Sequence, residues 1–357
     1  MLTDNNTPLA ALAFDQWHPN GMTMATIVSR GRIRVEPDGT QFFIEGTELV
    51  LADEFSGDPH KSSMLQCNDL IPFKPFADVT LKASLQSPEP KEFLTGEIRL
   101  GDVSTSIRGC GPRHWYYDRG WKLSKPKPIS ELFLCYTKAS GGRYIGNPDG
   151  KVDPRNPIGS GVIDSEYTPK TLDIPAPQID SLSAPISLDP TRPSAPQGVG
   201  PIPPWWKDRQ QYVGTYDDEW KENVHPRLPQ DFDYRHYQVA PQKLVLDQYL
   251  LPGMALETKG LIQGGKGFAV RIPDIVPFAT FSFIDGRVVQ VRLQMDGIHL
   301  DLTSEIPTYD LTWRSWIETC PSLYRVDLDM APSDKVMQMQ LPVAGETGLQ
   351  LDKAVHR

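Results

Sequence analysis

Positive charge is scarce in this 357-residue chain: 45 aspartates and glutamates outnumber 36 lysines and arginines, a net charge of −9. Phosphate backbones need a basic face, so a general nucleic-acid binder is not expected. Cysteine is rarer still. Cys67, Cys110, Cys135 and Cys320 are scattered, with no CxxC pair, the pattern of reduced thiols in a cytoplasmic protein rather than of a disulfide scaffold or a paired-spacing zinc site. No apolar run approaches the 18 or so residues that cross a bilayer, so no membrane insertion is expected. The opening Met1-Leu2-Thr3-Asp4-Asn5-Asn6 lacks the basic start of a signal peptide. There is no Gly-x-Ser-x-Gly elbow, and Gly264-Gly265-Lys266-Gly267 lacks the spacing and the Ser/Thr of a phosphate loop.

Proline is what the chain has in excess, with 34 residues. Helix interiors exclude it at about 3 kcal/mol each, which counts against a helical bundle. The outer thirds read instead as antiparallel β-structure. Thr26–Val35 and Gln41–Leu51 flank the turn Pro37-Asp38-Gly39, and strand-like runs follow at Asp78–Leu85, Phe93–Leu100, Val103–Arg108 and Leu132–Thr137. Near the end, Ala279–Ile284, Arg287–Met295 and Ile298–Leu302 are separated by Asp285-Gly286 and Asp296-Gly297, which spells a three-stranded meander. A hairpin through Gly264-Gly265 precedes it, Tyr309–Ile317 follows as a fourth strand, and the tail after Pro321 has weak periodicity.

Thirteen prolines lie between Asn147 and Trp206, too many for a long helix or a central strand. A flexible linker would have that composition, but linkers are poor in aromatics. This one runs into Trp205, Trp206, Tyr212, Tyr216, Trp220, Phe232, Tyr234 and Tyr237. An ordered, extended belt packed on the β-modules fits better, with a short helix over Asp217–Asn223 closed by His225-Pro226. The expected architecture is therefore mainly β: antiparallel sandwich-like modules joined by an ordered proline-rich irregular belt, with few short helices. The division is an N-terminal module over 1–146, the belt over 147–245, a C-terminal meander module over 246–320 and a tail over 321–357.

Catalytic candidates are sparse. Asp217, Asp218 and Glu219 beside Trp220, with Asp231 and Asp233 nearby, have the residue types of a glycoside hydrolase or a glycan-binding module; an acidic first turn of a helix, with Trp220 as a packing residue, explains them better. A glycan platform would need Trp205 and Trp206 exposed side by side. His114 and Asp118 could ligate a metal only from a helix, and their flanking glycines argue for a loop or strand end. Cys110 has no nucleophile signature around it. No metal, cofactor or catalytic residue is assigned.

The order of motifs resembles one bacterial family. Gln197-Gly198-Val199-Gly200-Pro201-Ile202 precedes Tyr212-Val213-Gly214-Thr215-Tyr216-Asp217-Asp218-Glu219-Trp220. Pro229-Gln230-Asp231-Phe232-Asp233-Tyr234-Arg235 and Ala240-Pro241 then follow. This is similar to the GxGPI, YxGTYDxxW and LPxDFDxRxxxxAP progression of the type VI secretion accessory family known as domain of unknown function 2169. Asp69-Leu70-Ile71-Pro72-Phe73-Lys74-Pro75 with Asp78-Val79, Asn156-Pro157-Ile158-Gly159-Ser160-Gly161 and Leu311-Thr312-Trp313-Arg314 resemble its other elements. Two positions depart: Tyr136-Thr137-Lys138 replaces a tyrosine–glutamate–arginine triplet, and Ala77 replaces a threonine.

The resemblance implies a non-enzymatic cytoplasmic adaptor or chaperone that helps a secreted toxic effector onto a VgrG/PAAR spike. The signature residues expected to meet the partner are Trp205, Trp206, Tyr212, Tyr216, Asp217, Trp220, Asp231, Phe232, Asp233 and Arg235. Locking the belt to a sheet is the competing role for the same residues.

Overall fold

The computed structural model describes residues 2–319 and 323–343. Its largest sheet has the strand order Ala10–Trp17, Thr23–Val35, Thr308–Glu318, Gln294–Asp301, Asp78–Lys82, with Gln41–Ile44 paired to the far half of Thr23–Val35. All of these pairings are antiparallel except that of Gln294–Asp301 with Asp78–Lys82. The chain is mainly β with mostly antiparallel sheets, as its composition indicates, and its helices Lys207–Gln210 and Ser333–Gln338 are single short pieces. The two strands from residues 294–318 lie side by side between strands from the first 146 residues in this one sheet. The main apolar core runs from Leu9 and Ile27 through Leu85, Ile202, Leu244 and Phe281 to Leu328, and a small second cluster gathers Trp115, Ile163, Ile174 and Ala176. The four sequence segments therefore share a core.

Local patterning accounts for most strands. Phe93–Leu100 buries every second residue (Leu94, Gly96, Ile98 and Leu100) and pairs with Val103–Cys110 across Gly101-Asp102. That hairpin extends through Ala255–Lys259 to Ala269–Arg271, closed by the Gly264-Gly265 turn, into a five-stranded sheet. The Pro37-Asp38-Gly39 turn also forms, with Glu36 N–H bonded to Thr40 O at 2.9 Å, although its second strand stops at Ile44. The run Asp78–Leu85 splits between two sheets at Ala83.

The meander reads differently in three dimensions. Val276–Phe283 and Val288–Arg292 do pair across Asp285-Gly286, where Gly286 takes a φ of +87°. The second Asp-Gly is not a turn. At Leu293 the chain leaves that four-stranded sheet, and Gln294–Asp301 pairs with Thr308–Glu318 and Asp78–Lys82 instead. A bulge between Met295 and Gly297 turns Asp296 inward, where Arg314 reaches both of its oxygens at 2.5 and 2.6 Å. A buried ion pair has overridden a local turn signal. The tail also contributes: Leu323–Ala331 lies between Val276–Phe283 and Leu2–Asn5 in the four-stranded sheet. Residues 344–357 of the assigned tail, and Cys320, lie outside the described residues.

Candidate functional site

Along Thr308–Glu318 the residues Tyr309, Leu311 and Trp313 enter the apolar core. The alternate face carries Asp310, Thr312, Arg314 and Trp316, a pattern that reads as solvent-facing. Instead it is covered, and its charges form a buried lattice. Arg30 spans Asp69 at 3.0 Å and Asp310 at 2.6 Å, and Arg32 adds a second contact to Asp310 at 2.7 Å. Arg314 holds Asp296 and also donates to the carbonyl of Asp69 at 2.9 Å. Lys74 reaches Asp78 at 2.9 Å. Four cations thus meet four carboxylates, and the cluster is neutral. Burial works against the charge on Lys74, yet Asp78 and its acidic neighbours hold the ammonium above its ordinary range. The buried imidazole of His299, bonded to Thr80 Oγ1 at 2.9 Å, is pushed down to about 4 and stays neutral.

This lattice anchors the belt. Asp78 accepts hydrogen bonds from Gln238 Nε2 at 2.8 Å, Val239 N at 2.8 Å and Ala240 N at 3.3 Å. Phe73, from the same segment as Lys74, stacks between Tyr234 at 4.0 Å and Trp316 at 5.7 Å. Asp78 and Phe73 are thus the residues that fasten the belt to the polar face of the sheet.

Within the belt the signature residues are knitted to one another. Asp231 accepts from Thr215 N at 2.9 Å and Thr215 Oγ1 at 2.7 Å. Gly214 between them has φ +77°, and a Cβ there would sit 2.7 Å from Asp231 Oδ1. Asp233 N–H donates to Tyr212 O at 3.0 Å, its carboxylate takes Arg235 Nε at 2.8 Å and Nη2 at 2.5 Å, and Arg235 lies over the Tyr212 ring at 4.5 Å. Asp217 caps the Trp220–Val224 turn through Trp220 N–H at 2.9 Å. This is a single π turn, wider and shorter than the helix expected over Asp217–Asn223, closed by His225 N–H to Trp220 O. Trp220 donates its indole N–H to Arg227 O and meets Tyr216 edge-on at 4.6 Å.

Trp206 corrects the expectation. It is 1% exposed, edge-on to Tyr136 at 5.0 Å, and belongs to the core. A side-by-side platform with Trp205 does not form, because consecutive side chains diverge here. Phe232 is likewise buried, among Tyr234, His236 and Tyr237. Trp205 is 37% exposed and packs against Phe55 and His60, while Tyr216 is 51% exposed. Arg235 also faces solvent. The outward set is therefore Trp205, Tyr216, Asp217, Asp231 and Arg235.

Hydrogen bonds from Thr215 hold Asp231 below its usual range, and those from Arg235 do the same for Asp233. His114 lies on the strand His114–Tyr117 beside Ser124, and Asp118 pairs with Lys122 at 2.5 Å. Among the described residues no three His, Cys, Asp or Glu side chains cluster as a metal site. Burial pushes the Cys110 thiol up to about 11, the direction opposite to a reactive thiolate.

Fold and site together define a strand-rich protein whose irregular belt is clamped onto its main core by buried charge and presents aromatics outward. The chain belongs to the family described as uncharacterized protein conserved in bacteria (DUF2169), whose model matches residues 20–314. No curated protein and no solved structure matches it. No helix among the described residues is long and apolar enough to cross a membrane.

Proposed function

We propose that this protein is a non-enzymatic, cytoplasmic adaptor of type VI secretion, binding a toxic effector and helping to load it onto the VgrG/PAAR spike. The observation that carries the reading is the belt. Residues 197–245 are fixed to the sheet through Asp78 and Phe73, while Trp205, Tyr216 and Arg235 point outward. Trp, Tyr and Arg are the usual anchors of protein interfaces, and a face already ordered in the free chain loses less entropy on binding. The motif resemblance supplies the secretion context.

A carbohydrate-active hydrolase built around Trp220 draws less support. Its acid would need a raised pKa, whereas Asp231 and Asp233 are shifted the other way and Asp217 is engaged with backbone. The glycan-platform reading required Trp206 at the surface. Co-expression with proteins encoded beside the gene tests the adaptor reading: an effector or spike protein should co-purify or gain solubility. If none does either, the reading fails.

A further inference from the structure

The lattice neutralises its own charges, but one buried cation stands apart from it. Arg209 is 7% exposed. Its guanidinium donates to two carbonyls, Nη1 to Ile202 O at 2.8 Å and Nε to His236 O at 2.8 Å. Among the described residues no carboxylate pairs with it. What remains open of Arg209 faces a cavity of about 400 Å³ whose wall also includes Phe76, Tyr212, Arg235, Gln242 and Val245. A guanidinium is hardly ever deprotonated, and a buried charge without a counter-ion is costly. The belt's fold thus retains a buried positive charge with no ion-pair partner at the wall of a concave site.

We propose that this cavity binds a carboxylate, with Arg209 as its counter-ion. Charge selects the ligand class. Arg235, the other cation of the wall, is already matched by Asp233, and Asp208 on the same wall makes no ion pair with Arg209, so the site tolerates little added negative charge beyond what Arg209 itself meets. With its higher charge, phosphate would be opposed by Asp208 at the same wall more strongly than a carboxylate. The planar guanidinium also suits a planar, two-oxygen acceptor. A cavity of this size holds more than an acetate ion, and the Phe76 and Val245 side chains offer apolar contact to whatever carries the carboxylate. A chain terminus or acidic side chain of a peptide, or a free small dicarboxylate, shares the required chemistry. The site does not depend on the adaptor reading, which co-purification tests separately.

Isothermal titration calorimetry on the full-length protein tests it. The probes are trialanine with a free C-terminal carboxylate, the same tripeptide as its C-terminal amide, glutarate and inorganic phosphate. The free-acid peptide should bind at least ten-fold more tightly than the amide. Arg209→Gln should abolish that preference. Because Arg209 also holds two carbonyls, Gln242→Trp serves as the second variant: it narrows the cavity from an exposed position and should weaken binding without lowering the melting temperature. If glutarate matches or exceeds the peptide, the carboxylate site stands and a free small molecule is its source. Equal binding of acid and amide, no binding of either carboxylate at millimolar concentration, tighter binding of phosphate, or full retention of the acid preference in folded Arg209→Gln would each overturn the proposal.

Discussion

Asp78→Asn isolates the clamp between belt and sheet. The substitution keeps shape and removes one charge from a buried group that faces Lys74 at 2.9 Å and takes three belt hydrogen bonds at 2.8, 2.8 and 3.3 Å. Removing one partner of a buried ion pair costs about 3–5 kcal/mol, because the other charge is left uncompensated. Unfolding entropy of about 2.1 cal/mol/K per residue over this length implies roughly 1.3 °C of melting temperature per kcal/mol. The expected drop is therefore about 4–7 °C by calorimetry. Hydrogen exchange localises the effect: the Val239 and Ala240 amides should lose protection first, while amides of Thr308–Glu318 retain theirs until global unfolding. Adding Lys74→Met should recover part of the loss, since it removes the stranded charge. A melting temperature within 1 °C of the parent, with unchanged protection at Val239 and Ala240, would refute the clamp.

Three further outcomes follow from the same geometry. The folded His299 has its pKa lowered to about 4 by burial, against about 6.5 unfolded, so its contribution is intact above pH 6.5 and is lost as pH falls toward 4. The loss should reach about 3 kcal/mol and be missing in His299→Asn, as read by urea melts across that window. Trp206→Ala should cost about 3–5 kcal/mol as a core deletion, while Trp205→Ala next to it should cost under about 1 kcal/mol; equal costs would contradict their opposite burial. Gly214→Ala should destabilise the Thr215–Asp231 contact by about 1–2 kcal/mol, since Ala resists a φ of +77° and its Cβ would press on Asp231. Faster exchange at the Thr215 amide is the readout.

Alternation and turn chemistry made most of the β-structure legible. The Phe93–Leu100 hairpin, the turn at Asp38-Gly39 and the one at Asp285-Gly286 depend on neighbours in sequence, so local rules suffice. Asp296-Gly297 misled because its aspartate answers to Arg314, eighteen residues away, and not to its own turn. The Leu323–Ala331 strand was obscured because it is largely an inserted partner for Leu2–Asn5 and Val276–Phe283. The lattice was harder still. Arg30 in a buried strand, and Asp310 and Arg314 on alternate positions opposite Leu311 and Trp313, were the available signal. Without the belt laid over that face, such a pattern is indistinguishable from a solvated sheet surface. Order in the belt itself was legible, since its aromatics contradict a linker. Its division into buried Trp206 and exposed Trp205 was not, because adjacent indoles carry no periodicity.

The adaptor reading is tested most directly by quantitative co-purification of neighbour-encoded effector and spike proteins with the parent chain, with Trp205→Ala/Tyr216→Ala, and with an exposed-edge control, Val288→Thr. The account predicts capture by the parent and the control, and at least a ten-fold loss in the Trp205/Tyr216 variant at unchanged melting temperature. Undiminished capture by that variant, or no capture by the parent, would contradict it.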